Sequence, residues 1–136
     1  MTQYWLLKTE PSDYSYENLE EDGSIRWTGV GNNLALKHMR EVKPGDLAFV
    51  YHTGRQREIV GVAKITSEPY PDPKLDDPKR VVFDLEPERR LPEPVALKEV
   101  KAEGSFDEWA LVRNPRLSVM PVPEEHWQRI LEMAGE

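Results

Sequence analysis

Tyr4-Trp5-Leu6-Leu7-Lys8-Thr9-Glu10-Pro11 is an apolar run that turns polar at its C-terminal end. Four aromatic and aliphatic side chains in succession suit a strand buried on both faces. Pro11 has no N–H to donate and stops the strand. A cation, a hydroxyl and a carboxylate (Lys8, Thr9 and Glu10) are thereby delivered to one end of a core. Taken alone, the stretch reads as a plain first strand with a solvated exit. Whether that end is also the wall of a site depends on what the rest of the chain brings to it.

The next firm elements lie some forty residues on. Lys43-Pro44-Gly45-Asp46 is a tight turn. It feeds the apolar run 47–52, and a polar connection leads to a second strand over 58–65. These two strands form a hairpin, which excludes an all-parallel sheet. Gly61 inside the second strand points to a bulge, a bend or the close approach of another backbone. Further strands are expected at 81–85 and 116–122, with the charged, proline-bearing 86–94 on an edge. Residues 25–33 read as an ordered loop pinned by Trp27, and 70–79 as an extended surface loop.

Ser15 suits the N-cap of a short helix that turns Tyr16 and Leu19 inward. Asn32 or Asn33 caps another, running to about residue 42, with Leu34, Ala35, Met39 and Leu36 toward the core. One or two helical turns are expected at 96–101, and a helix-like spacing at 106–111. Pro123 takes the first position of a terminal helix whose buried stripe is Trp127, Ile130, Leu131 and Ala134. The order of elements predicts an α+β fold, a small mixed sheet curled toward a β-barrel and flanked by short helices.

A chain of 136 residues suits one domain, 1–136, around one core. The formal net charge is -7 and the pI is about 5.1, so any nucleic-acid role must rest on a local pocket or patch. There is no cysteine, which excludes disulfides, thiolate metal sites and a cysteine nucleophile. His38, His52 and His126 show no metal-ligand spacing. The sequence shows no charged leader before an apolar run and no stretch of membrane-spanning length, so a soluble cytoplasmic protein is expected.

No nucleophile elbow, Walker loop, dinucleotide fingerprint or zinc-protease motif occurs. Acid–base chemistry would fall to His52 at the end of a core strand, with Lys8 or Glu10 as partner. Binding has more support. Trp5, Trp27 and Tyr51 each stand beside polar groups, and aromatic faces with convergent donors and acceptors suit a nucleobase, which stacks while its edge is read. All three aromatics being core is the competing reading.

Together these segments resemble the EVE domain family. Residues 4–11 are similar to its Y-W-L-x-K-[ST]-E-P opening, and Trp27-Thr28-Gly29-Val30-Gly31-Asn32 to its W-x-G-V-R-N segment. Val42-Lys43-Pro44-Gly45-Asp46, Phe49-Val50-Tyr51-His52-Thr53, Ile59-Val60-Gly61-Val62-Ala63 and Arg116-Leu117-Ser118-Val119-Met120-Pro121-Val122 resemble further family segments in order. The resemblance implies a PUA-like fold, related to YTH and ASCH domains. It implies a binding module and not an enzyme, reading a modified nucleobase in DNA or RNA, with no cofactor, no metal and a monomeric state. The pocket residues it implies are Trp5, Lys8, Thr9 and Glu10; Trp27, Gly29, Val30 and Asn32; Tyr51, His52 and Thr53; and Arg116 and Ser118. Trp27 or Tyr51 would stack on the base, Lys8, Thr9 and Asn32 would meet its edge, and His52 and Ser118 would hold the wall or a phosphate. Trp5 would line the pocket or brace it from behind. Gly31 stands where the family usually carries Arg, and Asn33 replaces the usual residue after the Asn. Arg40, Arg55 and Arg57 are the candidates to supply the missing charge. The alternatives are a small enzyme using His52 and Lys8, and a protein-interaction module with a vestigial pocket.

Overall fold

The structure, a computed structural model, describes residues 2–136. In chain order the elements are β1 (Tyr4–Thr9), α1 (Tyr16–Asp22), β2 (Ile25–Trp27), α2 (Asn33–Met39), β3 (Leu47–His52), β4 (Glu58–Ile65), β5 (Tyr70–Pro71), β6 (Val81–Ala96), α3 (Leu97–Glu103), α4 (Ala110–Arg113), β7 (Val119–Pro121) and α5 (Glu124–Met133). The strands make one sheet in the order β2-β6-β4-β3-β1-β7, with β5 added to β6. β1 runs parallel to β3, from Tyr4↔Leu47 to Thr9↔His52, and antiparallel to β7. The remaining pairs are antiparallel. Leu6 and Leu7 are fully buried, as a strand paired on both sides and covered on both faces requires. The sheet curls into a half-barrel, in agreement with the expected α+β class.

The curl comes from β4 and β6. Their register shifts between Ile59 and Gly61 and again between Val62 and Ala63, and such bulges bend a strand and increase its twist. Sequence punctuation suggested that β6 would stop near residue 85. It instead runs for 16 residues. Pro87, Pro92 and Pro94 are tolerated because the ladder is already interrupted there. Glu86, Glu88, Arg89 and Arg90 project to solvent, where Arg89 pairs with Glu136 and Arg90 with Glu20.

Residues 25–27 are likewise a strand and not a loop. Ile25 and Trp27 lie opposite Leu85 and Phe83 of β6. β5 also forms within the segment expected to be a surface loop, pairing Tyr70 with Val82. Pro123 caps α5 from an extended backbone (ψ 145), one position before the helix proper. Leu34 faces solvent at 41% exposure, because Ala35, Leu36 and Met39 form the inward side of α2.

α1 begins as expected. Ser15 and Asn18 form a reciprocal capping box, with Asn18 N donating to Ser15 Oγ at 3.1 Å and Ser15 N to Asn18 Oδ1 at 2.8 Å. Tyr16 then lies flat on β4, and its hydroxyl donates to Val62 O at 2.7 Å. At the opposite end of the chain, the Trp127 ring is stacked between Phe49 and Tyr4, with centroid distances of 3.8 and 4.4 Å. Among the described residues no helix is long and apolar enough to cross a membrane, and no group of three or more His, Asp or Glu is placed to hold a metal ion.

Burial, with Glu20 adding to it, raises the Tyr16 phenol to about 12; burial and the hydrogen bond to Asp22 hold Tyr14 higher still. The folded state therefore binds these protons more tightly than the unfolded chain, whose phenols ionise near 10. Their stabilisation is complete below about pH 10 and is lost as pH rises through about 12. In an alkaline titration, part of the phenolate absorbance should rise only together with loss of the far-UV dichroism. Complete ionisation of every tyrosine in a protein that still shows native dichroism would contradict this placement.

Candidate functional site

β2 and β7 are the two edges of the sheet, and they do not pair with one another. The polar end of β1 opens into the seam between them. There a cavity of about 410 Å³ is lined by Lys8 and Thr9 of β1, by Ile25, Arg26 and Trp27 of β2, by Thr28, Gly29 and Val30 after it, and by Tyr14 and Ser118. Its volume lies within the ~300–1,000 Å³ usual for small-ligand sites.

The side chains divide between apolar walls and polar groups. Val30, half-buried, and Trp27, 6% exposed and part of the core like Trp5 and Tyr51, supply the apolar wall. Lys8 Nζ donates to Pro115 O at 2.9 Å and lies 5.5 Å from the Tyr51 ring centroid. Burial holds its ammonium below the usual lysine range, which leaves a poorly hydrated donor in the cavity. Thr9 Oγ1 donates to Tyr14 O at 2.7 Å and keeps its lone pairs available. Ser118 O accepts from Lys8 N at 2.9 Å, fixing that residue at the rim. Arg26 is oriented by a relay in which its Nε donates to Tyr70 Oη (3.0 Å), which donates to Asp84 Oδ1 (2.5 Å).

Of the residues singled out from sequence, Lys8, Thr9, Trp27, Gly29, Val30 and Ser118 meet in this cavity. The others stand elsewhere. Trp5 is 3% exposed, and its indole donates to Asp46 Oδ2 at 3.0 Å, at the end of β1 remote from the cavity. Tyr51 is buried behind Lys8. His52 Nε2 accepts from Tyr16 N at 3.0 Å, so Nδ1 carries the proton and donates to Gln56 Oε1 at 2.7 Å. Both ring nitrogens are thus occupied, and neither meets a carboxylate. Glu10 accepts from Ser12 N and Oγ and from Thr53 Oγ1. The backbone N–H of Ser12 is the chief cause that lowers the Glu10 pKa, and the carboxylate holds the loop after β1 to the one after β3. Asn32 caps α2, its Oδ1 accepting from Ala35 N at 3.0 Å. Arg116 is exposed and does not line the cavity.

Tyr14, Ile25, Arg26 and Thr28 line the cavity without having been singled out. Alternation of Ile25 and Trp27 hints at a strand, but nothing local marks Tyr14. Beside Gly31 stands Arg80, a cation the sequence reading did not name: its guanidinium lies 3.6 Å from where a Gly31 Cβ would stand, and its Nε donates to Val30 O at 3.0 Å. Arg80 reaches across from the start of β6 and holds the cavity rim.

A larger cavity, about 650 Å³, lies among β7, α4 and α5, lined by Tyr4, Trp109 and Pro121 among others. It is more apolar and has no comparable convergence of cation and hydroxyls, so the seam is the better site.

A curled half-barrel of this order, flanked by short helices, is a PUA-like fold. Within that class the chain belongs to the EVE domain family, whose model matches residues 3–133. It is similar to Rpa0253 of Rhodopseudomonas palustris, at 42% identity with 98% of this chain and 94% of that one covered and a TM-score of 0.94. It is 30% identical to mouse thymocyte nuclear protein 1, over 98% of this chain and 74% of the relative. Human THYN1 protein, in complex with 5-methylcytosine-containing DNA, is 27% identical with a TM-score of 0.90, and 99% of each chain is covered.

Proposed function

We propose that this chain binds a modified nucleobase, of the 5-methylcytosine class, turned out of a nucleic acid into the β2–β7 seam. The observation that carries the reading is the cavity itself, a 410 Å³ space with Trp27 on its wall and Lys8 and Ser118 on its rim. The human relative in complex with 5-methylcytosine DNA supports it. Trp27, 6% exposed, is the aromatic that bounds the space for the base. Lys8 donates to the ring nitrogen or carbonyl of the base, and the hydroxyls of Thr9 and Ser118 accept from its amino group. Ile25 and Val30 supply apolar surface for the methyl. The protein acts as one EVE unit in the cytoplasm, and as a binder rather than a catalyst, since His52 is committed to α1 and Gln56.

Anisotropy titration of matched duplexes carrying cytosine or 5-methylcytosine tests this. Burying one methyl contributes about 0.8 kcal/mol, so a preference of about fourfold for the modified probe is expected. Ser118→Phe, which fills the cavity and keeps the backbone bond to Lys8, should abolish that preference. Equal affinity of the wild-type protein for both probes would sink the reading.

A further inference from the structure

We infer that the notch between the β3–β4 turn and α3 is a docking site for backbone phosphate of the nucleic acid whose base enters the seam. This inference rests on the base-binding reading. The notch is a concavity of about 360 Å³ lined by Arg55, Arg57, Lys98 and Lys101 together with Gln56 and Leu97. Four cations thus converge from two segments of a chain whose net charge is -7.

Among the described residues most Lys and Arg lack an ion pair; what is particular to this place is that four of them share one concavity. Arg89, Arg90, Arg113 and Arg129 each pair with a glutamate. Among the described residues, none of the four notch cations pairs with a carboxylate, although Asp and Glu together number 25. Two acids close in sequence to the notch are engaged elsewhere, Glu99 accepting from Ala96 N at 3.0 Å and Glu10 from Ser12 and Thr53, while Glu58, next to Arg57, makes no ion pair. A group of like charges left together without counterions raises a local positive potential, which phosphate oxygens satisfy.

Backbone geometry agrees. Among the described residues, Arg57 is the non-glycine one with positive φ, at 46°, a conformation that costs energy and is kept where the surroundings impose it. Its Nε donates to Gly54 O at 3.2 Å and its carbonyl accepts from Leu97 N at 2.8 Å, so the turn and α3 are fixed to each other. The backbones on the two sides of the notch are therefore tied together. The notch also lies at the same end of the sheet as the cavity. Thr53 N donates to Thr9 O at 2.9 Å, and Thr9 lines the seam. From Thr9 to Arg55 is about one strand spacing of ~4.8 Å and two residues of ~3.3 Å, a span of one to a few nucleotides.

The test uses the intact protein and a duplex with one 5-methylcytosine, titrated at several salt concentrations, against the triple variant Arg55→Gln/Lys98→Gln/Lys101→Gln. All three positions are exposed, so the variant keeps its fold. Arg57 is left in place. The slope of log K against log salt should shrink by at least about 0.9, the value of one phosphate contact. The ratio of modified to unmodified affinity should stay at the wild-type value. The matched control Lys64→Gln/Arg113→Gln/Arg129→Gln removes equal charge elsewhere and should keep the wild-type slope. An unchanged slope in the notch variant, an equal loss in the control, or no binding of either probe by the wild type overturns the notch. A wild-type protein without preference for the modified probe, whose slope still falls in the notch variant, overturns the base reading and leaves the notch standing. Millimolar inorganic phosphate should weaken the wild type more than the notch variant; equal weakening of the two counts against it.

Discussion

Asp46→Ala is expected to cost the fold about 3–5 kcal/mol, since three donors lose their acceptor and a buried unsatisfied donor costs about 1–3 kcal/mol. The carboxylate is 2% exposed and sits at the entry to β3. Its Oδ1 accepts from Gln3 N, and its Oδ2 accepts from the Trp5 indole and from Lys43 N, all at 3.0 Å. It therefore ties the start of β1, the turn before β3 and an aromatic of the core into one joint. Asp46→Asn is a poor substitute, because its NH₂ must face an N–H on one side or the other. Urea unfolding of the three proteins measures the effect. A loss below about 1 kcal/mol for the alanine variant would show that water replaces the carboxylate and that the joint is dispensable. Because Asp46 and Trp5 lie at the end of β1 remote from the cavity, Trp5→Phe should lower stability and leave base discrimination intact.

Gly61→Ala is expected to destabilise by about 3 kcal/mol, at the upper end of the usual overpacking penalty. An added Cβ would stand 2.6 and 2.7 Å from two ring atoms of Tyr16. The ring cannot swing aside, because its hydroxyl is held by Val62 O at 2.7 Å and its backbone N–H by His52. Tyr16→Leu in the same background should relieve the clash, so the double variant loses much less than the sum of the single ones. Strict additivity in chemical denaturation would mean that the contact is not what excludes a side chain at position 61.

Much of this architecture is legible in the residues. The apolar runs at β1, β3 and β4 and the Ser15 cap depend on neighbours only a few positions away, and local pattern suffices for them. β6 is different. Its prolines and charges read as an edge or a break, and only pairing with residues far off in sequence, and the bulges that absorb its missing N–H groups, make it continuous. β2 failed for the same reason, since a three-residue strand carries almost no periodic signal and exists because β6 lies beside it. The site shows the same divide. Lys8, Thr9 and Ser118 stand at strand ends, where a polar exit is visible in sequence. Tyr14 and Arg80 reach their places through tertiary geometry. His52 and Glu10 sit where a polar strand end suggested chemistry, yet their partners are the protein's own loops.

The position of β1 has a kinetic consequence. It pairs with β3 on one side and with β7 on the other, and Trp5 meets Pro121 across more than a hundred residues. During synthesis this apolar strand emerges early and then waits, one side unpaired, until nearly all of the described chain has been made. Loop-closure entropy slows such non-local pairing, and an unpaired apolar strand is a template for the wrong partner. Nascent chains stalled before residue 119 should therefore engage holdase chaperones, and those stalled well beyond α5 should release them. The β2–β7 seam is among the last parts of the molecule to close.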